Sequence, residues 1–137
     1  MQFEAMLRAA ERNGLLGEFV ALEHERKRLT KAGRRDLAEM VQWTSQENVA
    51  AGFDIASFDI DGAQRYVEVK ATAGEGRRFV ATRNEWHTAQ AYGEQYWFYL
   101  VVNVNDNPEI VPLQNPIDLE RTGLLIRDPD GWVVRMK

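Results

Sequence analysis

Residues 53–70 constrain this chain more than any other stretch. Two strand-like runs, 53–60 and 64–70, flank Asp61-Gly62, a strong hairpin signal. Side chains alternate along a strand, so Val67 and Val69 share one face while Glu68 and Lys70 share the other. One face is apolar and suits a core. The other carries a carboxylate and an amine. A two-residue loop would turn Asp54 to the valine face. A three-residue loop, Ile60 to Gly62 with Gly62 left-handed at a bulge, places Asp54 opposite Glu68. That register also gathers Phe53, Ile55, Val67 and Val69 on the apolar face, so the hydrophobic pattern selects it. Asp54, Glu68 and Lys70 are then expected to converge.

The rest of the chain reads as one domain, 1–137, with a core at about 14–113 and a C-terminal extension over 114–137. Residues 2–12 and 15–31 read as helices. The second carries Leu15, Phe19, Leu22, Arg26 and Leu29 at spacings of three and four, and Gly33 is its stop. Residues 39–44 alternate like a strand. Phe79-Val80-Ala81 is a short strand, and Thr82-x-x-Glu85 has the form of a capping box opening a helix that ends at Gly93. Residues 95–103 form an apolar and aromatic run expected as a buried central strand. Residues 109–113 and 131–136 read as further strands, 116–121 as a helical turn, and Asp128-Pro129-Asp130-Gly131 as a turn. The order of elements indicates an α+β (mixed α/β) domain around one sheet.

Composition removes several chemistries. There is no cysteine, which excludes disulfides, thiolate metal sites and a cysteine nucleophile. Two histidines are too few for a histidine metal cage. Neither a glycine-rich phosphate loop nor a serine elbow is present. With no long apolar run and a charged N-terminus, the expected setting is intracellular and cytoplasmic. The net charge of −4 argues against a surface that binds nucleic acid everywhere. Charge is nevertheless segregated. Residues 39–61 contain five acidic and no basic side chains, whereas basic residues lead on both sides, among them Arg34, Arg35, Arg77 and Arg78. Such runs describe solvated faces equally well as a phosphate-binding rim around an acidic centre.

Two neighbouring carboxylates repel, and a hard divalent cation such as magnesium resolves that repulsion. A lysine beside them can orient or deprotonate water, or neutralise charge at phosphorus. Acid-x-Lys is a common tripeptide, so the spacing alone also describes an ion pair on a wet strand face. Glu18, near the apolar edge of its helix, is a further candidate metal ligand, and Gln90, Gln95 and Tyr96 are candidate extensions of the site.

Asp54, thirteen intervening residues, then Glu68-Val69-Lys70 resembles the signature of the PD-(D/E)XK nuclease superfamily. A closer resemblance is to the domain at the C-terminus of the plant NO VEIN protein, also found in bacterial defence proteins. It rests on Gly17-Glu18, Leu22-Glu23, Trp43, Gly52-Phe53-Asp54-Ile55, Ser57-Phe58, Arg65 through Lys70, Thr72, Asn84-Glu85, Tyr96 and Tyr99, over roughly residues 14–113. Phe53 stands where the superfamily has proline. The resemblance implies a restriction-endonuclease-like mixed sheet flanked by helices. It further implies catalytic Asp54, Glu68 and Lys70, and Mg²⁺ (with Mn²⁺ as a substitute) held by Asp54, Glu68 and Glu18. Arg34, Arg35, Arg77, Arg78 and Thr72 are the expected nucleic-acid contacts. The expected function is hydrolysis of DNA phosphodiesters in a defence or nucleic-acid-processing system, as a homodimer or with a partner subunit. The alternative is a non-catalytic nucleic-acid- or protein-binding module of the same fold.

Overall fold

The computed structural model describes residues 2–76, 78–128 and 132–137. Helix α1 (Gln2–Lys31) runs unbroken through Asn13-Gly14, where the sequence alone left a break open. Its end follows from Gly33, at φ +80°, with the Arg34 amide donating to the Leu29 carbonyl at 2.8 Å and the Gly33 amide to Thr30 at 3.0 Å. A left-handed glycine two residues past the helix satisfies carbonyls that the helix leaves free. A short helix, α2 (Arg35–Ala38), follows and buries Leu37 and Ala38.

Strands β1 (Ile55–Phe58), β2 (Gln64–Ala71), β4 (Tyr96–Val102) and β5 (Glu109–Gln114) form a mixed sheet in the order β1-β2-β4-β5. The β2–β4 pair is parallel and the two outer pairs are antiparallel. Between β2 and β4 the chain forms β3 (Arg78–Val80) and helix α3 (Arg83–Tyr92), which opens on the expected Thr82–Glu85 capping box. Helix α4 (Pro116–Arg121) leads to β6 (Leu125–Arg127) and β7 (Val133–Met136). These two strands pair with β3 in a small antiparallel sheet, order β3-β7-β6. Strand β6 was not anticipated, and Pro129, Asp130 and Gly131 of the expected turn lie outside the described residues. The architecture is mixed α+β. Among the described residues no helix is long and apolar enough to cross a membrane.

Core residues lie on both sides of the larger sheet. Ile55, Val67, Val69, Tyr99 and Val101 face α1, while Tyr96, Phe98 and Leu100 face α3 and the small sheet. This is why β4 reads as a continuous apolar run. Residues 39–44 do not form a strand. Only Gln42 bridges to Ala56, and a 3-10 turn at Thr44–Gln46 bends the chain away from the ladder.

The buried side of α1 differs from the expected stripe. Leu22 and Leu29 are buried as expected, but Leu15 and Phe19 are half exposed, and Gly17, Ala21 and Glu25 take the inner positions. Small residues let the helix lie closer to the sheet than leucine and phenylalanine would. A Cβ placed on Gly17 would sit 2.5 Å from the Cβ of Ala71 on β2.

Glu25 is fully buried on this face. Its carboxylate accepts from Arg28 Nη2 at 2.6 Å, Ser57 Oγ at 2.7 Å and the Tyr99 hydroxyl at 2.8 Å. Burial pushes its pKa up, but the bonds and charge of Arg28, with Ser57 and Arg65, more than offset this and hold it below the usual range.

Gly17→Ala tests the close approach. Helix propensity alone would favour the substitution by about 1 kcal/mol. Overpacking against Ala71 should reverse that sign and destabilise by about 1–2 kcal/mol in urea unfolding. The double substitution Gly17→Ala/Ala71→Gly should recover most of the loss. A plain gain of stability in the single variant would mean that the contact does not set the distance between α1 and β2.

Candidate functional site

The hairpin loop is the three-residue one, Ile60 to Gly62. The Asp59 amide donates to the Ala63 carbonyl at 2.8 Å and the Gly62 amide to Asp59 at 2.9 Å, with Gly62 at φ +94°. Ile55 pairs with Val67 and Phe58 with Gln64. This is the register that the valine pattern selected.

At Asp54 the ladder slips. Its amide donates to the Val67 carbonyl at 2.8 Å, one residue out of step with the pairing of Ile55. A slip of this kind breaks side-chain alternation. Phe53 therefore leaves the apolar face expected of it. It packs on the opposite side, with its ring 4.8 Å from that of Tyr66 and 6.4 Å from that of Tyr92. Asp54 turns along the end of β2, where its Oδ2 accepts the Val69 amide at 2.8 Å and its carboxyl lies close enough to Glu68 for each to shift the other's pKa.

Lys70 lies on the same strand face as Glu68. Its Nζ is 3.5 Å from Glu68 Oε2 and 2.7 Å from Glu85 Oε1. The Glu85 oxygen also accepts the Thr82 amide at 3.0 Å, so the capping box of α3 presents its carboxylate to the lysine. Buried Tyr96 closes the floor, donating its hydroxyl to the Gly52 carbonyl at 2.8 Å. Gln90 and Gln95 are exposed. Glu85 was read from the sequence as a cap and as part of the family resemblance, not as a partner of Lys70, because a capping box explains its residue type without any further partner.

Glu18 reaches the cluster from α1. Its Oε1 accepts from the Trp43 indole at 2.8 Å and from the Ser45 hydroxyl, while the Ser45 amide donates to the Asp54 carbonyl at 3.1 Å. The 43–45 turn thus ties Glu18 and Asp54 into one frame.

The cluster is crowded with like charge. Burial, then the charge of Glu18, pushes the Asp54 carboxyl up to about 6, although the Val69 amide, Glu68 and Lys70 pull the other way. Burial and then the charge of Asp54 push Glu68 well above the carboxylate range. Burial would lower Lys70, but Glu68 and Glu85 outweigh it and raise its pKa, so the amine is an ammonium. The Asp54–Glu68 pair therefore resists carrying two charges and has the hard oxygen chemistry that suits a small divalent cation. Among the described residues no group of three acidic or histidine side chains is gathered to hold a metal. Glu18 is held by Trp43 and Ser45 instead.

The basic residues divide. Arg78 and Thr72 line a small recess with Lys70. Arg34 lies at the far end of the hairpin, bonded to the Ile60 carbonyl and to Asp36, with Arg35 next to it. Ile60 is six residues from Asp54, roughly 20 Å along an extended chain. Arg77 lies outside the described residues.

The family model described as Protein NO VEIN, C-terminal, matches residues 17–113, and the chain belongs to that family. Protein NO VEIN-LIKE of Arabidopsis thaliana is 30% identical over 117 residues, which are 85% of this chain and 17% of that protein. The chain thus spans less than a fifth of the length of this relative. No solved structure gives a significant match.

The elevated Asp54 has a pH signature. Its folded value of about 6 lies above the 3.8 usual for an aspartate. The stability it contributes is therefore fully present below about pH 4 and is lost as pH rises through about 6, an effect on the order of 2–3 kcal/mol. Asp54→Asn should be near neutral below about pH 4, stabilising by about 1–1.5 kcal/mol at pH 5 and by about 2–3 kcal/mol at pH 8 in metal-free urea unfolding. A difference that does not vary with pH would show that Asp54 is not under this strain.

Proposed function

We propose that this domain is a magnesium-dependent nuclease-type module of the PD-(D/E)XK, restriction-endonuclease-like group, hydrolysing DNA phosphodiesters in a defence or nucleic-acid-processing system. The observation that carries this reading is the meeting of Asp54, Glu68 and Lys70 at one end of the hairpin, with Asp54 held at 2.8 Å by the amide of Val69, the residue between Glu68 and Lys70, and the ammonium 3.5 Å from Glu68. Asp54 and Glu68 would hold Mg²⁺ or Mn²⁺, which supplies activation of water and charge neutralisation at the phosphate. Lys70, kept charged and aimed by Glu85, would stabilise negative charge developing on the phosphoryl oxygens. Its raised pKa argues against it as a base in the metal-free protein. Trp43 and Ser45 keep Glu18 beside the pair, where its charge holds Asp54 ready to exchange a proton for a cation. Thr72 and Arg78 are placed to contact the phosphates next to Lys70. Arg34 and Arg35 would touch the same nucleic acid only about six base steps away. With a net charge of −4, affinity for long DNA would come from a second copy or a partner subunit.

A second reading is a non-catalytic nucleic-acid- or protein-binding module. One observation favours it: Lys70 is neutralised by Glu85 at 2.7 Å while one carboxylate oxygen of Glu18, Oε1, accepts from both Trp43 and Ser45.

Two measurements separate the readings. Wild-type protein should give a weak calorimetric signal with Mn²⁺ that Asp54→Asn/Glu68→Gln abolishes. Lys70→Ala should keep DNA affinity while Mg²⁺-dependent cleavage falls by about 10²–10³-fold. Unchanged Mn²⁺ heats in the double variant would remove the acid pair as ligands. Salt-dependent DNA binding by a wild type that cuts neither DNA nor RNA would establish the binding module.

A further inference from the structure

A cleft of about 430 Å³ opens beside the acid pair, between residues 40–44 and the hairpin. Phe53, Phe58 and Tyr66 supply its aromatic walls, and Gln42 and Gln64 its amides. Tyr66 is braced from behind by Tyr92, with ring centroids 4.1 Å apart and planes 24° from parallel. Thr44 also lines the cleft, and its hydroxyl, itself buried, has no hydrogen-bond partner among the described residues. None of the lining residues is charged.

The cleft continues the site. Gln64, Tyr66, Glu68 and Lys70 follow one another on a single face of β2, each roughly 7 Å from the next. Phe53 is bonded to Asp54 through the chain. A ligand bridging the two regions would thus place a flat, neutral, hydrogen-bonding group in the cleft and an anionic group at Lys70. Resting on the nuclease-type reading above, we propose that the cleft takes one unpaired nucleobase of the strand whose phosphate lies at Asp54, Glu68 and Lys70. The substrate class is then single-stranded or locally unpaired nucleic acid. A paired base cannot serve, because its faces are stacked and its edge is engaged until it leaves the helix. Stacking on aromatic side chains is tolerant of sequence, whereas the glutamines give the cleft groups that can address a base edge.

Fluorescence anisotropy without divalent metal tests this with three probes: a short thymidine strand, a blunt duplex of equal length, and a strand of abasic sugars. The thymidine strand should bind about tenfold more tightly than either of the others. Tyr66→Leu should reduce its affinity about tenfold, to the level of the abasic strand, and leave the duplex unchanged. Gln42→Ala, at an exposed side chain that poses little risk to folding, should weaken the thymidine strand several-fold. Equal affinity for the duplex or the abasic strand overturns the proposal, as does a wild-type-like Gln42→Ala together with a folded, wild-type-like Tyr66→Leu. If base-dependent binding appears but no strand is cut in Mg²⁺ or Mn²⁺, the cleft assignment stands and the hydrolytic reading falls. If duplex is cut without base-dependent binding, the reverse holds. If no probe binds, the cleft assignment is wrong.

Discussion

The distance between α1 and β2 governs most of what this molecule can do. Gly17 offers only a hydrogen where Ala71 approaches, and the helix settles against the strand that carries Glu68 and Lys70. The next residue, Glu18, is thereby delivered to the strand end and to Asp54. A bulkier residue at 17 would lift the helix and withdraw the carboxylate from the cluster. The half-exposed Leu15 and Phe19 are the counterpart of this choice: the helix gives up burial of large side chains for proximity.

How much could be read beforehand depends on the range of the interaction involved. The loop at Ile60–Gly62, the cap at Thr82 and the stop at Gly33 are local, and each was legible in a few residues. The convergence of Glu68 and Lys70 followed from alternation alone. Convergence of Asp54 was legible too, but by a different route from the one taken structurally. The slipped hydrogen bond to Val67 sends Phe53 to the other face, and nothing in a period-two pattern announces where a ladder slips. The alternation at 39–44 was real, yet Trp43 and Ser45 serve Glu18 across the fold rather than a neighbouring strand. Glu85 was visible as a cap and invisible as a partner of Lys70, because that pairing depends on where the crossover sets α3. Strand β6 is three residues long and exists through its pairing with β7. Arg34 and Arg35 were legible as part of a basic run, but their separation from Asp54 was not, because sequence carries no distances.

The acid cluster is an arrangement held together against its own repulsion. Asp54, Glu68, Glu18 and Glu85 approach one another with Lys70 as the cation that the described residues place among them. The neighbouring elements bear the cost: the Val69 amide, the indole of Trp43 and the cap of α3 each fix one carboxylate. On the metal-dependent reading proposed above, a cation would relieve repulsion between carboxylates that the fold already holds in place.

The buried carboxylate of Glu25 acts at the opposite flank. Its partners come from α1 itself, from β1 through Ser57 and from β4 through Tyr99, so it keys three elements to one another. Sliding α1 by one turn, about 5.4 Å, would strand this charge away from Ser57 and Tyr99. Arg28 would travel with the helix, but the buried hydroxyls of Ser57 and Tyr99 and the carboxylate would each lose a hydrogen bond, at about 1–3 kcal/mol for every buried group left unsatisfied, a large share of a domain's whole stability. The helix is therefore free to bend or to detach but not to shift by degrees. A pull on its long, exposed N-terminal half would be felt at Glu18 only as all or nothing.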